Sequence, residues 1–538
     1  MRARKWWRKC RRREEEREYM RRAVMANRDI QAAWDYHDGT KHAYERLYAE
    51  PHYLDWENQP LPFKVYQNLE PIPLPRDLLS SGVPALTALS APIASAGASV
   101  VPTLPMLASL LYFSAGITKR KTYPGGEILF RAAACTGALY HIELYLVCGD
   151  LPDLEAGVYH FAPGDFALRR LRQGDYRGTL VQATGGEPSV AAAPVTMICT
   201  STFWRNAWKY RARTYRHCFW DTGTIVANLL AVSAAHQVPA RIVMGFVDAT
   251  VNHLLGLDVE REVAVALVAL GRAPDNPPGP PPAAEPLVLE TVPLSNKEVD
   301  YPAIRAMHAA SSLADEAEVA AWRGRTPAHV WPDPIGKVVP LQPLSEGEVA
   351  TDSIEQVILR RGSTRRFARE SLSFSQLSTM LQRATGAISA DFLEPPEARV
   401  NDLYLIVNAV EGISSGAYVY RPDRQALELL RQGSFRREAG HLGLMQDIPA
   451  DASVDVFFLT DLRSILQRFG NRGYRAAQLE AGLIGGRLYL AAYAQRLGAS
   501  GLTFFDDDVT HFFSPHAADK SVMFLVALGK SAKRRAES

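Results

Sequence analysis

Cysteine is scarce. Five residues, at positions 10, 135, 148, 199 and 218, serve a chain of 538, and no two of them form a Cys-x-x-Cys pair. An odd, scattered set excludes a disulfide framework and fits reduced thiols in a cytoplasm. Excess charge is equally spare. The formal net charge is +2, from 60 Lys and Arg against 58 Asp and Glu, which removes any global case for nucleic acid or an acidic partner. Long hydrophobic runs are missing too. The most apolar stretch, 83–113, is interrupted by Pro84, Pro92, Pro102 and Pro105, where a membrane span needs about 20 mostly apolar residues in succession. Its part from about 77 to 106 reads as an insertion that forms a lid or a plain surface loop, with a short helix following. No glycine-rich dinucleotide fingerprint sits between a strand and a helix. Positive charge collects only in MRARKWWRKCRRREEEREYMRR, which has no apolar core of signal-peptide length and reads as a solvated extension over 1–25. Met25 offers a second start, which would leave the first 24 residues untranslated.

What is present is a duplication. IELYLV (142–147) aligns with NDLYLI (401–406), so that Leu144 matches Leu403 at an offset of 259. Gly157 and Tyr159 match Gly416 and Tyr418, LRQGD (171–175) matches LRQGS (430–434), and Asp221 and Gly223 match Glu480 and Gly482. VALVALG (265–271) and MFLVALG (523–529) close the two copies. The proline-rich APDNPPGPPPAAEP (273–286) lies between them and reads as a linker outside any core. The expected division is 26–272, a connecting segment 273–350 with a helix near 303–321, 351–531, and a tail 532–538. Each copy reads as α+β. LYLIV (403–407) and VFFLT (456–460) are β-rich, and Tyr215–Gln237 and Tyr474–Arg496 repeat apolar residues at helical steps.

Four stretches bear chemistry. ILRRGSTRRF (358–367) clusters Arg360, Arg361, Ser363 and Arg365, forked cations and a hydroxyl suited to phosphate, or else a solvated basic loop. YHDGTKHAY (36–44), with Thr40, Lys41 and His42, is matched to it in the first copy. FRAAACTGALYHIE (130–143) carries small residues around Gly137 that let backbone approach a flat ligand. Its Cys135 is a redox thiol or a packing residue. WKYRARTYRH (208–217) matches QRFGNRGYRA (467–476), but Lys209 and Tyr210 face Arg468 and Phe469. A lysine of lowered pKa beside a tyrosine can move protons, whereas two surface residues ahead of a helix would not. GASGLTFFDDDVTHFFSP (498–515) reads as a tight turn beside a ligand, contacting it through Gly501 and Leu502, or as turn chemistry alone. Its three adjacent aspartates point to alternate sides and do not read as metal ligands.

Taken together these motifs resemble the nitroreductase-like flavoproteins, and within them the SagB-type dehydrogenases, the azoline oxidases, over about 26–530. RRGSTRRF resembles the family segment that holds the FMN phosphate. ACTGALYHIE resembles the family's Pro-Ser-Ala-Gly-Ala-Leu-Tyr-Pro loop, with Ala134, Cys135, Thr136 and His141 as departures. WKYRARTYRH resembles the segment whose Lys-Tyr pair is taken as catalytic. The resemblance implies two tandem nitroreductase-like domains forming an intrachain pseudo-dimer, with FMN between them. One site would join Arg360, Arg361, Ser363 and Arg365 to Gly137, Ala138 and Leu139, facing catalytic Lys209 and Tyr210. The other would join Thr40, Lys41 and His42 to the altered loop around Pro395 and Arg399. Decay in complementary places leaves one competent flavin site per chain.

The resemblance further implies an FMN-dependent oxidoreductase that oxidises an azoline-like small molecule or peptide by hydride transfer, with peptide-modification proteins as partners. Two alternatives stand beside it: an NAD(P)H-dependent nitro or quinone reductase, and a non-catalytic partner subunit of a peptide-modifying complex.

Overall fold

The structure, a computed structural model, describes residues 27–49, 52–90, 99–123, 126–327 and 329–532. The basic extension 1–25 and nearly all of the expected tail lie outside them.

Two seven-stranded antiparallel sheets form the body. The first uses β1 (Pro71–Pro73), β2 (Ile142–Cys148), β3 (Gly157–Ala162), β4 (Ala167–Gln173), β5 (Val195–Thr202), β6 (Ala240–Val243) and β7 (Glu262–Leu270), in the order β1-β4-β3-β2-β5-β7-β6. The second uses β8 (Val338–Pro340), β9 (Asp402–Val407), β10 (Gly416–Arg421), β11 (Ala426–Gln432), β12 (Val454–Thr460), β13 (Gly498–Leu502) and β14 (Ser521–Gly529), in the corresponding order β8-β11-β10-β9-β12-β14-β13. Every residue of β2, β5, β7, β12 and β14 is buried, polar ones such as Glu143, Thr200 and Asp455 included, so both faces of these strands are covered. The stretch expected as a tight turn at Gly498 is β13, a strand paired to β14.

The helices repeat as faithfully. The first unit has α1 (Gln31–Gly39), α2 (Ala85–Ser90), α3 (Leu104–Ala115), α4 (Phe203–Tyr210), α5 (Thr214–Ala235) and α6 (Asp248–Leu255). The second has α7 (Pro302–Ala310), α8 (Ile354–Arg360), α9 (Phe374–Ala384), α10 (Leu462–Phe469), α11 (Arg472–Ala494) and α12 (Asp506–Phe513). Ser353 and Ser373 start α8 and α9 with capping boxes closed by Gln356 and Gln376. A helical stretch at 203–235 is long and apolar enough to cross a membrane, but it is mostly buried inside the body.

Two expectations change here. The segment 273–350 is not only a connector, because α7 and β8 within it are the second unit's counterparts of α1 and β1. The expected helix near 303–321 is two helices, α7 and Glu316–Trp322. The stretch from 77 to 106 is surface loop in its described parts only at 77–84 and 99–103. It contributes α2, and the α3 helix that follows is core, with Leu86, Leu107, Leu110 and Leu111 fully buried. Pro84 and Pro102 precede α2 and α3, and Pro105 sits in the first turn of α3 behind the Thr103 cap.

α5 and α11 cross at the pseudo-two-fold, where Gly223 and Gly482 face the opposite backbone. A Cβ on Gly482 would lie 2.5 Å from Trp220 O, and one on Gly223 would lie 2.6 Å from Leu479 O. Only glycine permits this approach. Gly482→Ala is expected to cost about 1–3 kcal/mol through overpacking, seen as a lower urea midpoint; an unchanged midpoint would mean that the helices part freely.

Candidate active site

Lys209 and Tyr210 occupy the last turn of α4, which Arg211 ends with φ 51°. Both side chains are half-buried. Burial lowers the Lys209 ammonium below its ordinary value, and the Arg365 charge lowers it further. Burial raises the Tyr210 phenol well above its usual value, with Asp221 and Cys135 adding to the effect. The pair therefore holds a loosened proton beside a tightly held one.

The loop after Arg131 reaches Tyr210 through Gly137, whose φ is 66° and whose Cβ, if present, would lie 2.7 Å from the phenol oxygen. Asp221 on α5 anchors this loop. Its carboxylate accepts from Thr136 N at 2.9 Å, Thr136 Oγ1 at 2.8 Å and Cys135 Sγ at 3.0 Å, and pairs with His141 Nε2 at 2.9 Å. The departures at Cys135, Thr136 and His141 are thus one hydrogen-bonded set around a single carboxylate. Burial and then Asp221 push the Cys135 thiol well up, which disfavours the thiolate that redox chemistry needs.

The second unit closes the site from the opposite side. Ser363 Oγ lies 3.3 Å from Tyr489 Oη, and the same phenol accepts a hydrogen bond from Gly501 N. A cavity of about 400 Å³ opens between the units, walled by Gly137, Lys209 and Tyr210 from the first and Ser363, Arg365, Gly501 and Leu502 from the second. Trp220 and Phe524, with ring centroids 5.1 Å apart and planes tilted by 46°, both belong to its wall and give it an aromatic side. The volume lies in the usual range for cofactor clefts.

Four expected contacts are not in that wall. Arg360 is held by Tyr493 O at 2.8 Å and Asp352 at 2.9 Å. Arg361 reaches across the units to Ala132 O at 2.8 Å and Arg131 O at 3.0 Å, so it fastens the small-residue loop. Ala138 and Leu139 are both half-buried just beyond Gly137.

The second expected site does not assemble. Thr40 and His42 instead serve the cluster around Asp506: Arg216 Nε donates to Thr40 Oγ1 at 3.1 Å, and His42 N to Asp506 at 2.9 Å. Lys41 pairs with Asp38 and Asp507, each at 2.8 Å. The physical reason is a shift of register between the copies. α1 corresponds to α7, so His37 and Thr40 answer to His308 and Ser311, which bind Arg475 in the same manner. α2 corresponds to α8: Ala85 N donates to Asp352 O and Ile354 N to Val83 O, a reciprocal pair at an offset of 269. At that offset Arg360, Arg361, Ser363 and Arg365 answer to Ala91, Pro92, Ala94 and Ala96, a stretch without arginine that lies outside the described residues.

Polypeptide also fills the counterpart of the cavity. Trp322 packs on Phe469, ring centroids 5.3 Å apart, and donates from Nε1 to Phe469 O at 3.0 Å. Asp391 accepts from Met244 N and Gly245 N, each at 2.8 Å. Glu480, which replaces Asp221, turns to Asn401 N and Nδ2 at 2.9 and 2.7 Å. Arg399 donates to Thr385 O instead of facing a cavity. Trp322 and Asp391 gave no signal in the sequence, because their roles rest on contacts across long chain separations.

Residues 358–530 match the Nitroreductase family. A curated candidate nitroreductase of Methanocaldococcus jannaschii is 26% identical over 161 residues, 29% of this chain and 81% of that protein. The Microcin B17-processing protein McbC of Escherichia coli is 28% identical over 154 residues, 28% of this chain, and the match spans about half of McbC (53%). The crystal structure of a candidate nitroreductase from Anabaena variabilis superimposes with TM-score 0.74 at 27% identity, covering 93% of this chain and 99% of that one. The cavity suits a flavin by its own chemistry. It pairs aromatic rings with cationic donors, and His217 Nε2 and Thr503 Oγ1 in its wall are buried without a partner. Residues 358–530 thus carry the match to the Nitroreductase family, and the likeness over 93% of the chain shows that both halves take the nitroreductase fold.

Proposed function

We propose that the chain is an FMN-dependent dehydrogenase of the SagB type, oxidising an azoline-like ring in a small molecule or a modified peptide. The observation that carries this reading is the convergence of Lys209 and Tyr210 with Ser363 and Arg365 on one cavity. Gly137, Ser363, Arg365, Gly501 and Leu502 would hold the cofactor, with Arg365 and Ser363 turned to its anionic end. FMN, when bound, supplies a two-electron acceptor for hydride.

The protein's own part is proton handling and positioning. Lys209 Nζ, with its lowered pKa, takes the carbon-bound proton of the substrate as the hydride leaves, and the ring gains a double bond. Tyr210 keeps its proton and donates a hydrogen bond to the substrate heteroatom. The match to McbC, named for processing microcin B17, supports a peptide substrate and partner proteins of peptide modification.

The chain is expected to hold one FMN per polypeptide, because Trp322 and Asp391 occupy the counterpart cavity. Flavin released from purified protein and counted per chain checks this, and two per chain would refute it. The activity test is bleaching of the bound flavin under anaerobic conditions by a thiazoline-containing peptide. The likeness to a named nitroreductase over 93% of the chain favours a second reading, a nicotinamide-fed reductase. Fast bleaching by NADPH with none by the thiazoline would establish it in place of the first. A chain that takes up no flavin would be a non-catalytic partner subunit.

A further inference from the structure

His217 lies one helical turn into α5 and is 1% exposed. Its Nδ1 is 2.8 Å from Asn206 Oδ1, which also accepts from Thr214 Oγ1 at 2.9 Å. With the Asn206 amide turned so that its oxygen faces the ring and its Nδ2 is left buried without a partner, the imidazole proton sits on Nδ1 and Nε2 is a bare acceptor. That Nε2 is buried, has no hydrogen-bond partner, and belongs to a residue of the cavity wall. The ring is clamped in place. Tyr210 meets it edge-on at 4.7 Å between centroids, and Trp220 covers it at 4.9 Å. Burial, and next the Arg213 charge, keep the imidazole neutral. A buried acceptor left unpaired is costly, so its partner is expected to come from the ligand.

Most other polar groups of the wall donate: Lys209, Tyr210, Ser363 and Arg365. The Asp221 oxygens are already taken by Thr136, Cys135 and His141. Gln446 stands on a half-buried turn with its amide N–H donating to Gly443 O at 2.8 Å, and the wall hydroxyls of Ser363, Tyr489 and Thr503 can donate as well as accept, so His217 Nε2 is the buried, unpaired wall atom that can only accept. Oxidised flavin carries a single ring N–H, on the imide nitrogen of its pyrimidine ring, and that group needs an acceptor. We infer that His217 Nε2 accepts the imide N–H of FMN, making it a cofactor-orienting residue present in only one of the two copies. The corresponding position of the second copy is Ala476. The inference rests on the FMN reading of the cavity.

The test compares FMN with 3-methyl-FMN, in which that N–H is replaced by N–CH3. The full chain is stripped of flavin and titrated with each, following flavin fluorescence. The wild type is expected to prefer FMN by on the order of tenfold, one buried hydrogen bond. His217→Ala should lose both that preference and a similar factor in FMN affinity. His217→Gln, which restores an acceptor, should recover part of the loss, and Gln446→Ala should keep the wild-type ratio. Equal binding of the two flavins by the wild type would overturn the inference without any variant needing to fold. So would a ratio that survives in His217→Ala and collapses in Gln446→Ala, or Ala and Gln variants that behave alike. If the wild type binds neither flavin, the FMN reading fails as well, which separates the two.

Discussion

Lys209→Ala is expected to slow thiazoline oxidation by about 10²–10⁴-fold, the range for losing a positioned proton acceptor, while the protein still purifies with its flavin. Lys209 lies in the last turn of α4, is half-buried, and among the described residues has no carboxylate paired with it. Removing it therefore leaves no buried charge unpaired. Lys209→Arg separates base chemistry from simple attraction, because a guanidinium stays charged and cannot take the proton. It should be nearly as slow as Ala if Lys209 is the base, and nearly normal if only positive charge matters. The pH profile adds a second readout. A base must be deprotonated, so kcat/KM rises with pH until Lys209 has lost its proton. Burial and Arg365 both lower that pKa. Arg365→Ala removes one cause and should move the rising limb to higher pH. Loss of flavin and turnover in equal measure would instead make Lys209 a structural residue.

Asp506→Ala should destabilise the protein by about 3–5 kcal/mol, the cost of stripping a buried ion pair of one partner. Asp506 is 2% exposed and binds Arg213 at 3.0 Å and Arg216 at 2.6 Å. Both arginines are buried in the same core, so two cations would lose their carboxylate together. Burial alone would raise the Asp506 pKa, but the two arginines overcome it and hold the carboxyl well below the usual range. The sign then follows. A depressed folded pKa stabilises fully above the unfolded value of about 3.9 and progressively less as pH falls below it. The gap between wild type and Asp506→Ala, read as urea midpoints, should be widest near neutrality and shrink on acidification. Asp248, which holds Arg472 at 2.6 Å and Arg475 at 2.7 Å, is the same device in the other half, and Asp248→Ala should behave alike. A constant gap from pH 7 to pH 3 would mean that packing, not charge, is lost.

The strands and the long central helices were legible because apolar periodicity and the repeated LRQG and VALG motifs survive in both copies, at offsets of 259 and 258. Helices α5 and α11 fall within a residue or two of the expected spans. Lys209, Tyr210, Ser363 and Arg365 were legible as a group because residue type and spacing carried a resemblance. What failed was the alignment of the early helices. α2 and α3 are held by alanines and leucines against the core, and such positions tolerate exchange without leaving a motif. The offset there drifts to 269–271, and the polar string at Thr40–His42 offered a false match. Arg361 was misread for a different reason. A cluster of arginines shows the capacity to bind anions, but not which of them is already held by backbone carbonyls across the interface. His217 was passed over because helical phase makes it a core residue, and only its contacts show one nitrogen without a partner.

The covalent link between the two folds has a genetic consequence. In a homodimer of identical chains, every substitution is imposed on both sites at once, so a tryptophan that plugs one plugs the other. Here Trp322 and Trp220 are independent positions on one polypeptide. One half can be selected for plugging and fastening while the other is selected for chemistry, and an allele that damages the plugged half need not touch the reacting one. The composite cavity is also closed by a step within a single molecule, so dilution cannot separate its halves.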